Sequence, residues 1–319
     1  MSKNILKIAT RKSPLALWQA SYIKDRLSSI YPNLNIEIIP TMTKGDIIID
    51  KLILKLGGKG VFVKELEQLV IKRKADLAVH SIKDLPINLP KGLGLVAICE
   101  RENPYDVIVS HRYRSLEDMP KGAIIGTSSM RRGCQIISYR PDLLVRSIRG
   151  NIGTRLNKLD IGEYDAIIIA AAGLKRLGLE NRINQILSTD IVLPAVGQGA
   201  LGVECRLDDI KLINLLQVLN HDDTAVCIKA ERAMNNYLDG GCELPIAGFA
   251  ILEGSDIWLR GLICVPNGNS SIIIKKEIRG SRYQSEKTGI LLAEKLICEN
   301  GKFFKNNLNK IYDYFNNSS

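Results

Sequence analysis

The stretch 75-ADLAVHSIKDLP-86 reads as an apolar, β-branched strand from Ala75 to Val79. It ends in polar residues and turns at Leu85-Pro86, because proline cannot extend a sheet ladder. Asp84 is therefore expected at a strand exit, and in an open α/β sheet ligands bind beyond the carboxyl ends of the strands. Cationic residues gather at the other strand exits. Arg11 follows the first strand, Lys83 sits beside Asp84, and Arg131 and Arg132 follow Gly126-Thr127-Ser128-Ser129. Arg149 precedes Gly150-Asn151 with Arg155 one turn on, and Lys175-Arg176 follow Ala170 to Gly173. Ser- and Gly-rich turns place backbone N–H groups at helix N-termini, and Arg adds paired donors matched to carboxylate or phosphate. The pattern predicts a cationic, anion-binding cleft with one fixed carboxylate; solvated charges on ordinary loops remain the plainer alternative.

Working outward, Ile5–Thr10 and Asn35–Pro40 read as strands around a helix over Pro14–Ile30, whose proline falls in the first turn where a missing N–H costs nothing. Residues 41–60, TMTKGDIIIDKLILKLGGKG, predict a lid before a helix over 61–74, and Leu93–Cys99 a further strand. The pattern restarts near Arg101–Pro104. Short apolar strands at 106–110, 123–127, 143–148 and 165–170 alternate with helices starting near Ser129, Ile152 and Ala172, a second βαβ-type domain. Leu201–Cys205 reads as a strand returned to the first domain. From His221 the sequence predicts a helix over 224–238, strands at 246–253, 256–264 and 271–279, and a helix over 283–299, with a frayed Asn- and Lys-rich tail. The expected domains are 1–99 with 200–219, 104–193, and 221–319.

The 319 residues, 45% of them hydrophobic, suffice for two or three cores. No apolar run reaches the roughly 18 residues that span a bilayer, and the N-terminus lacks a secretory h-region, so a cytoplasmic protein is expected. The net charge of +10 would suit nucleic acid, but its placement at junctions rather than along one helix or tail points away from that. Seven scattered cysteines without C-x-x-C, and three histidines without ligand spacing, predict neither disulfides nor a metal site.

Gly197–Gly202, GQGALG, matches a dinucleotide fingerprint, but LGVEC after it reads as strand where a helix is needed. Gly57-Gly58-Lys59-Gly60 lacks the spacing of a phosphate loop. Cys242, in Leu238–Pro245, LDGGCELP, is displayed on a turn made by two glycines and stopped by proline. It is either an idle thiol or a nucleophile and covalent attachment point; Glu243 and Asp239 beside it would raise its pKa and suit a slowly formed permanent linkage.

In order and spacing, RKSPLALWQA, GGKGVFVKELE, ADLAVHSIKDLP, GTSSMRR, RSIRGNIGTRL, AAGLKRLGL, LPAVGQGALGVECR, AERAMN and LDGGCELPI resemble the porphobilinogen deaminase (hydroxymethylbilane synthase) family from Ile8 to about Gly261. The resemblance implies an α/β fold of two periplasmic-binding-protein-like (type II) doubly wound domains plus a small α+β C-terminal domain. It implies a monomeric enzyme that joins four porphobilinogen molecules head to tail with loss of ammonia, then frees the linear tetrapyrrole with water. A dipyrromethane cofactor would be bound as a thioether to Cys242. Each pyrrole carries an acetate and a propionate. The resemblance therefore implies Lys83, Asp84, Ser81, Thr127, Ser129, Arg131, Arg132, Arg149, Gly150, Asn151 and Arg155 around the cofactor. Arg11, Ser13, Arg149, Arg155, Arg176, Gln198, Phe62 and Lys59 would meet substrate. Asp84 would be the catalytic carboxylate that stabilises the cation left by departing ammonia. The rivals are a non-catalytic anion-binding module and, further off, a nucleic-acid binder, for which aromatics are scarce.

Overall fold

The computed structural model describes residues 5–43, 63–240, 245–267 and 270–298. The expected lid at 41–60 and the frayed tail fall almost wholly outside them. The chain forms two compact units, Met1–Glu102 with Ala200–Ala225, and Asn103–Gly199 with Val226–Ser319.

The first unit is built on a sheet of β1 (Leu6–Arg11), β2 (Ile36–Thr41), β3 (Leu77–Ser81), β4 (Leu93–Ile98) and β10 (Leu201–Arg206), in the order β2-β1-β3-β10-β4. β1 is parallel to β2 and β3, while β10 runs antiparallel to both β3 and β4. The late strand therefore fills the slot between two early ones. Helix α1 (Pro14–Ile30) starts where Ser13 caps it, its Oγ accepting from Ala16 N. Its buried stripe of Ala16, Gln19, Ala20, Ile23 and Leu27 has helical spacing. Ala20, Ile23 and Leu27 pack with Ile8, Leu77, Val79 and Val203 on one face of the sheet. On the other face α2 (Lys64–Ile71) sets Leu66 and Val70 against Ala9, Ala75, Ala78 and Leu93.

The second unit repeats this winding with β5 (Asp106–Val109), β6 (Ile124–Gly126), β7 (Leu144–Arg146), β8 (Ala166–Ala170) and β9 (Gln185–Ile186), in the order β7-β6-β8-β5-β9. β6 is parallel to β7 and β8, and β5 is the antiparallel member. α3 (Met130–Tyr139), α4 (Ile152–Asp160) and α5 (Ala171–Arg176) each follow a strand. Alternation sorts the side chains: Ile108, Ile125 and Ile168 pack with Ile136 of α3, while Val107, Val109, Ile167 and Ile169 meet Leu156, Leu159 and Leu174 of α4 and α5.

α6 (Ile210–Leu216), capped by Asp209, belongs to the first unit and has no counterpart among the expected elements. After α7 (Asp222–Tyr237), β11 (Ile246–Glu253), β12 (Asp256–Asn267) and β13 (Ser270–Ser281) make an antiparallel meander, followed by α8 (Ser285–Cys298). Met234, Leu238, Ile257, Leu259, Leu292 and Leu296 share its core. The opposite face, through Ala247, Phe249, Leu262 and Cys264, packs on Cys134 of α3 and Leu193, so this segment forms one unit with the second sheet. Gly289 is required where α8 meets α7, since a Cβ there would lie 2.3 Å from Ala230 O. Among the described residues no helix is long and apolar enough to cross a membrane.

Candidate active site

In the first unit the exits of β1 and β3 line one pocket with Arg11, Ser13, Gln19, Leu66, His80, Ser81 and Asp84 among its walls. β3 ends at Ser81 and continues as a single 3-10 turn, Ile82–Asp84. Ile82 is buried and anchors the turn through its N–H to Ala200 O, and Asp84 at its end is exposed. The following X-Pro pair, Leu85-Pro86, keeps the chain extended and stops the helix there. Gln19 Nε2 donates to Ser81 Oγ at 2.8 Å and fixes the hydroxyl at the strand exit. Gln19 is absent from the expected site. Its signal was a polar residue on the buried stripe of an otherwise apolar helix face.

In the second unit the Thr127–Ser129 turn opens α3. Ser129 caps the helix, accepting from Arg132 N, and Thr127 Oγ1 accepts from Ser129 N at 3.2 Å. The two arginines that follow turn inward. Arg131 Nη1 donates to Asp106 Oδ2 at 2.8 Å and to Leu193 O at 2.7 Å. Arg132 Nε and Nη2 donate to Asp106 Oδ1 at 3.0 and 2.7 Å. Gln198 Nε2 adds a bond to the same oxygen at 2.9 Å and one to Pro104 O at 2.6 Å. Burial alone would raise the Asp106 pKa, but the two guanidiniums outweigh it and hold the carboxyl far below its usual range. Burial lowers that of Arg131, against the pull of Asp106.

Arg131, Arg132 and Gln198, expected at the cofactor and substrate, are buried and converge on a carboxylate of the protein itself, a network under the start of α3. Asp106, which the expected site lacked, is its centre. A charged residue heading the fully buried strand 106-DVIV-109 was the available signal, because such a group needs partners. Arg176 is also buried and donates to Gly199 O at 2.6 Å.

The start of α4 is different. Asn151 caps the helix, its Oδ1 accepting from Thr154 N at 2.9 Å. Gly150 before it has φ +114°, a conformation that favours glycine, and a Cβ there would sit 2.6 Å from Thr154 Cγ2. Arg149 is exposed, and half-buried Arg155 folds back to donate from Nε to Gly150 O at 2.8 Å. A left-handed glycine, a capped helix start and two cations on one turn form a surface suited to carboxylates.

Cys242 and Glu243, with Lys59 and Phe62, lie outside the described residues. The residues on either side of Cys242 in sequence, up to 240 and from 245, are described. Asp239, with φ 52°, and Gly240 close α7 through N–H bonds to Asn236 O and Asn235 O, and Pro245 O accepts from Cys264 N at 2.9 Å. Beyond the glycines of GQGALG the chain is strand β10, which leaves no helix N-terminus for a pyrophosphate.

Residues 6–214 match the family model described as porphobilinogen deaminase, dipyromethane cofactor binding domain, and residues 225–298 match porphobilinogen deaminase, C-terminal domain. Similar solved structures include a putative methionine-binding lipoprotein from Bacillus subtilis, 13% identical over 68% of this chain and 90% of that one, with a TM-score of 0.43. The aliphatic sulphonate binding protein SsuA from Escherichia coli is 16% identical over 73% and 70%, with a TM-score of 0.40. The VFT2 domain of BvgS from Bordetella pertussis is 15% identical over 66% and 85%, with a TM-score of 0.40.

Proposed function

The chain belongs to the porphobilinogen deaminase family, and from that premise we propose which of its residues carry the reaction. The chain is a transferase that condenses four porphobilinogen molecules stepwise with loss of ammonia and releases hydroxymethylbilane by hydrolysis, primed by a dipyrromethane cofactor. When bound, that cofactor supplies the nucleophilic pyrrole end on which the product is built. Cys242 is its attachment point in this reading.

The donors on the page suit such a group. Substrate, cofactor and growing chain are polyanions, and Lys83, Ser81, Thr127, Ser129, Arg149, Gly150, Asn151 and Arg155 offer cations, hydroxyls and helix N-termini to their acetates and propionates. Arg11 and Ser13 take substrate carboxylates beside Asp84, with Lys59 and Phe62 contributing from outside the described residues. Arg176 supports this binding from its buried position. Arg131 and Arg132 serve the cofactor and Gln198 the substrate in this reading, each positioned by its bond to Asp106.

Asp84 is the catalytic group. Loss of ammonia breaks a C–N bond and leaves positive charge spread over the substrate pyrrole and its methylene. A fixed carboxylate beside the ring N–H stabilises that charge more than it stabilises the neutral ground state. The observation that carries this is the exposed position of Asp84, at the end of the turn after β3 and on the same pocket as Arg11 and Ser13. The enzyme works, in this reading, as a cytoplasmic monomer without nucleic acid or membrane.

Intact mass of the denatured protein tests the covalent step. The expected result is an excess equal to a pyrrole dimer on the wild type and none on Cys242→Ser. A bare wild-type mass that stays bare after incubation with porphobilinogen would sink the assignment.

A further inference from the structure

His80 is buried in the wall of the Asp84 pocket, and the reaction as described above does not use it. In the β3–β10 register Gly202 stands opposite His80 and Glu204 opposite Ala78. The imidazole therefore reaches diagonally to the neighbouring strand, where Nε2 lies 2.8 Å from Glu204 Oε2. Side-chain exposures are 4% and 0%. The second Glu204 oxygen, Oε1, is buried without a hydrogen-bond partner among the described residues. Helix α2 covers this face and adds buried Glu67, whose carboxyl is pushed up by burial first and then by Glu204, while His80 pulls it down.

A buried His–Glu pair with an unsatisfied oxygen is a poor source of stability. Desolvation of the charges offsets most of their attraction, and apolar residues of similar volume often stabilise as well or better. Of the pair, His80 lines the pocket that Asp84 also lines. We infer that His80 is a positioning residue for the deamination step: Glu204 orients its ring, and the charge the ring carries at the pocket wall supports the ionised form of Asp84. The inference rests on the catalytic reading of Asp84.

Glu204 engages Nε2, which leaves Nδ1 as the ring atom able to gain or lose a proton. The charged groups on the elements packed around it are Glu204 on β10, Glu67 with Lys64 and Glu65 on α2, Arg11 at the end of β1, and Lys83 and Asp84 after β3. A protonated ring favours ionised Asp84. Without it, turnover is expected to weaken first on the acid side.

The test is the pH profile of cofactor-loaded His80→Gln, which keeps a donor for Glu204 but cannot titrate. The acid limb of kcat is expected to move up by about one pH unit, the shift typical of losing one neighbouring opposite charge, with KM for porphobilinogen unchanged. A profile that superimposes on the wild type overturns the inference. A second readout needs no change at His80. With three histidines in the chain, the His80 titration can be followed by NMR in the wild type and in Asp84→Asn. Coupling is reciprocal, so its midpoint should fall when the Asp84 charge is removed, and an unmoved midpoint overturns the inference. Near-normal turnover of Asp84→Asn would instead overturn the catalytic reading itself. An inactive Asp84→Asn beside an unshifted His80→Gln profile would remove only the role given to His80.

Discussion

Asp84 and Asp106 are the same side chain beside two five-stranded sheets, one in each unit. Asp84 follows β3 on a one-turn extension and ends exposed. Asp106 heads β5, fully buried, and receives donors from Arg131, Arg132 and Gln198. A carboxylate already saturated by donors has nothing left for charge that develops during a reaction. One that is held by its backbone while its oxygens reach the pocket can respond to such charge. On the catalytic reading proposed for Asp84, the number of donors supplied by the protein itself separates the two acids.

The contrast breaks most visibly at Asp106. Asp106→Ala strands two buried guanidiniums and is expected to cost about 3–5 kcal/mol, the range for breaking one side of a buried pair, read by denaturant unfolding. The acid side offers a second check. The pKa of Asp106 is depressed on folding, so its stabilisation is complete above the unfolded value of 3.8 and is lost as pH falls through that value towards the native one. Asp106→Asn should flatten this part of the acid unfolding curve. If its curve matches the wild type, the network is not what holds the start of α3.

Asp84→Asn comes next. Turnover should fall by about 10²–10³-fold, the loss typical of one preorganised electrostatic group, while unfolding and cofactor mass stay as in the wild type. A variant that loses stability rather than kcat would make Asp84 a second Asp106. The smallest effect is expected at Ser129→Ala, about 1 kcal/mol for a lost helix cap. Its measurement sharpens the comparison by separating the cap from the ion network beneath it.

Much of this was legible in the sequence for local reasons. Ser13-Pro14 marks a helix start, and α1 begins at Pro14 as expected. The run IAGFAILE is apolar up to Glu253 and is β11, residue for residue with the predicted strand. LGVEC after the glycines reads as a strand and is β10. What escaped was pairing over distance. The charges of Arg131 and Arg132 are visible, but their partner lies 25 and 26 residues away across a strand whose apolar pattern reports burial and not contacts. Likewise His80 and Glu204 each interrupt an apolar strand, and only the β3–β10 register brings them together across 124 residues. Helix α6 was passed over although Asp209 before an apolar run is a cap signal, because seven residues are too few to establish a period.

The position of β10 has a consequence for how the chain is made. The first sheet cannot be completed when β4 leaves the ribosome, because the strand that hydrogen-bonds to both β3 and β4 is encoded about 100 residues later. At typical synthesis rates that delay is roughly 5 to 20 s. For that time the facing edges of β3 and β4 wait unpaired, a longer wait than that of β5, whose partners β8 and β9 follow within the second sheet's own stretch of chain. The sheet begun first is the one finished last, which makes the nascent N-terminal half the stage at which a chaperone would matter most.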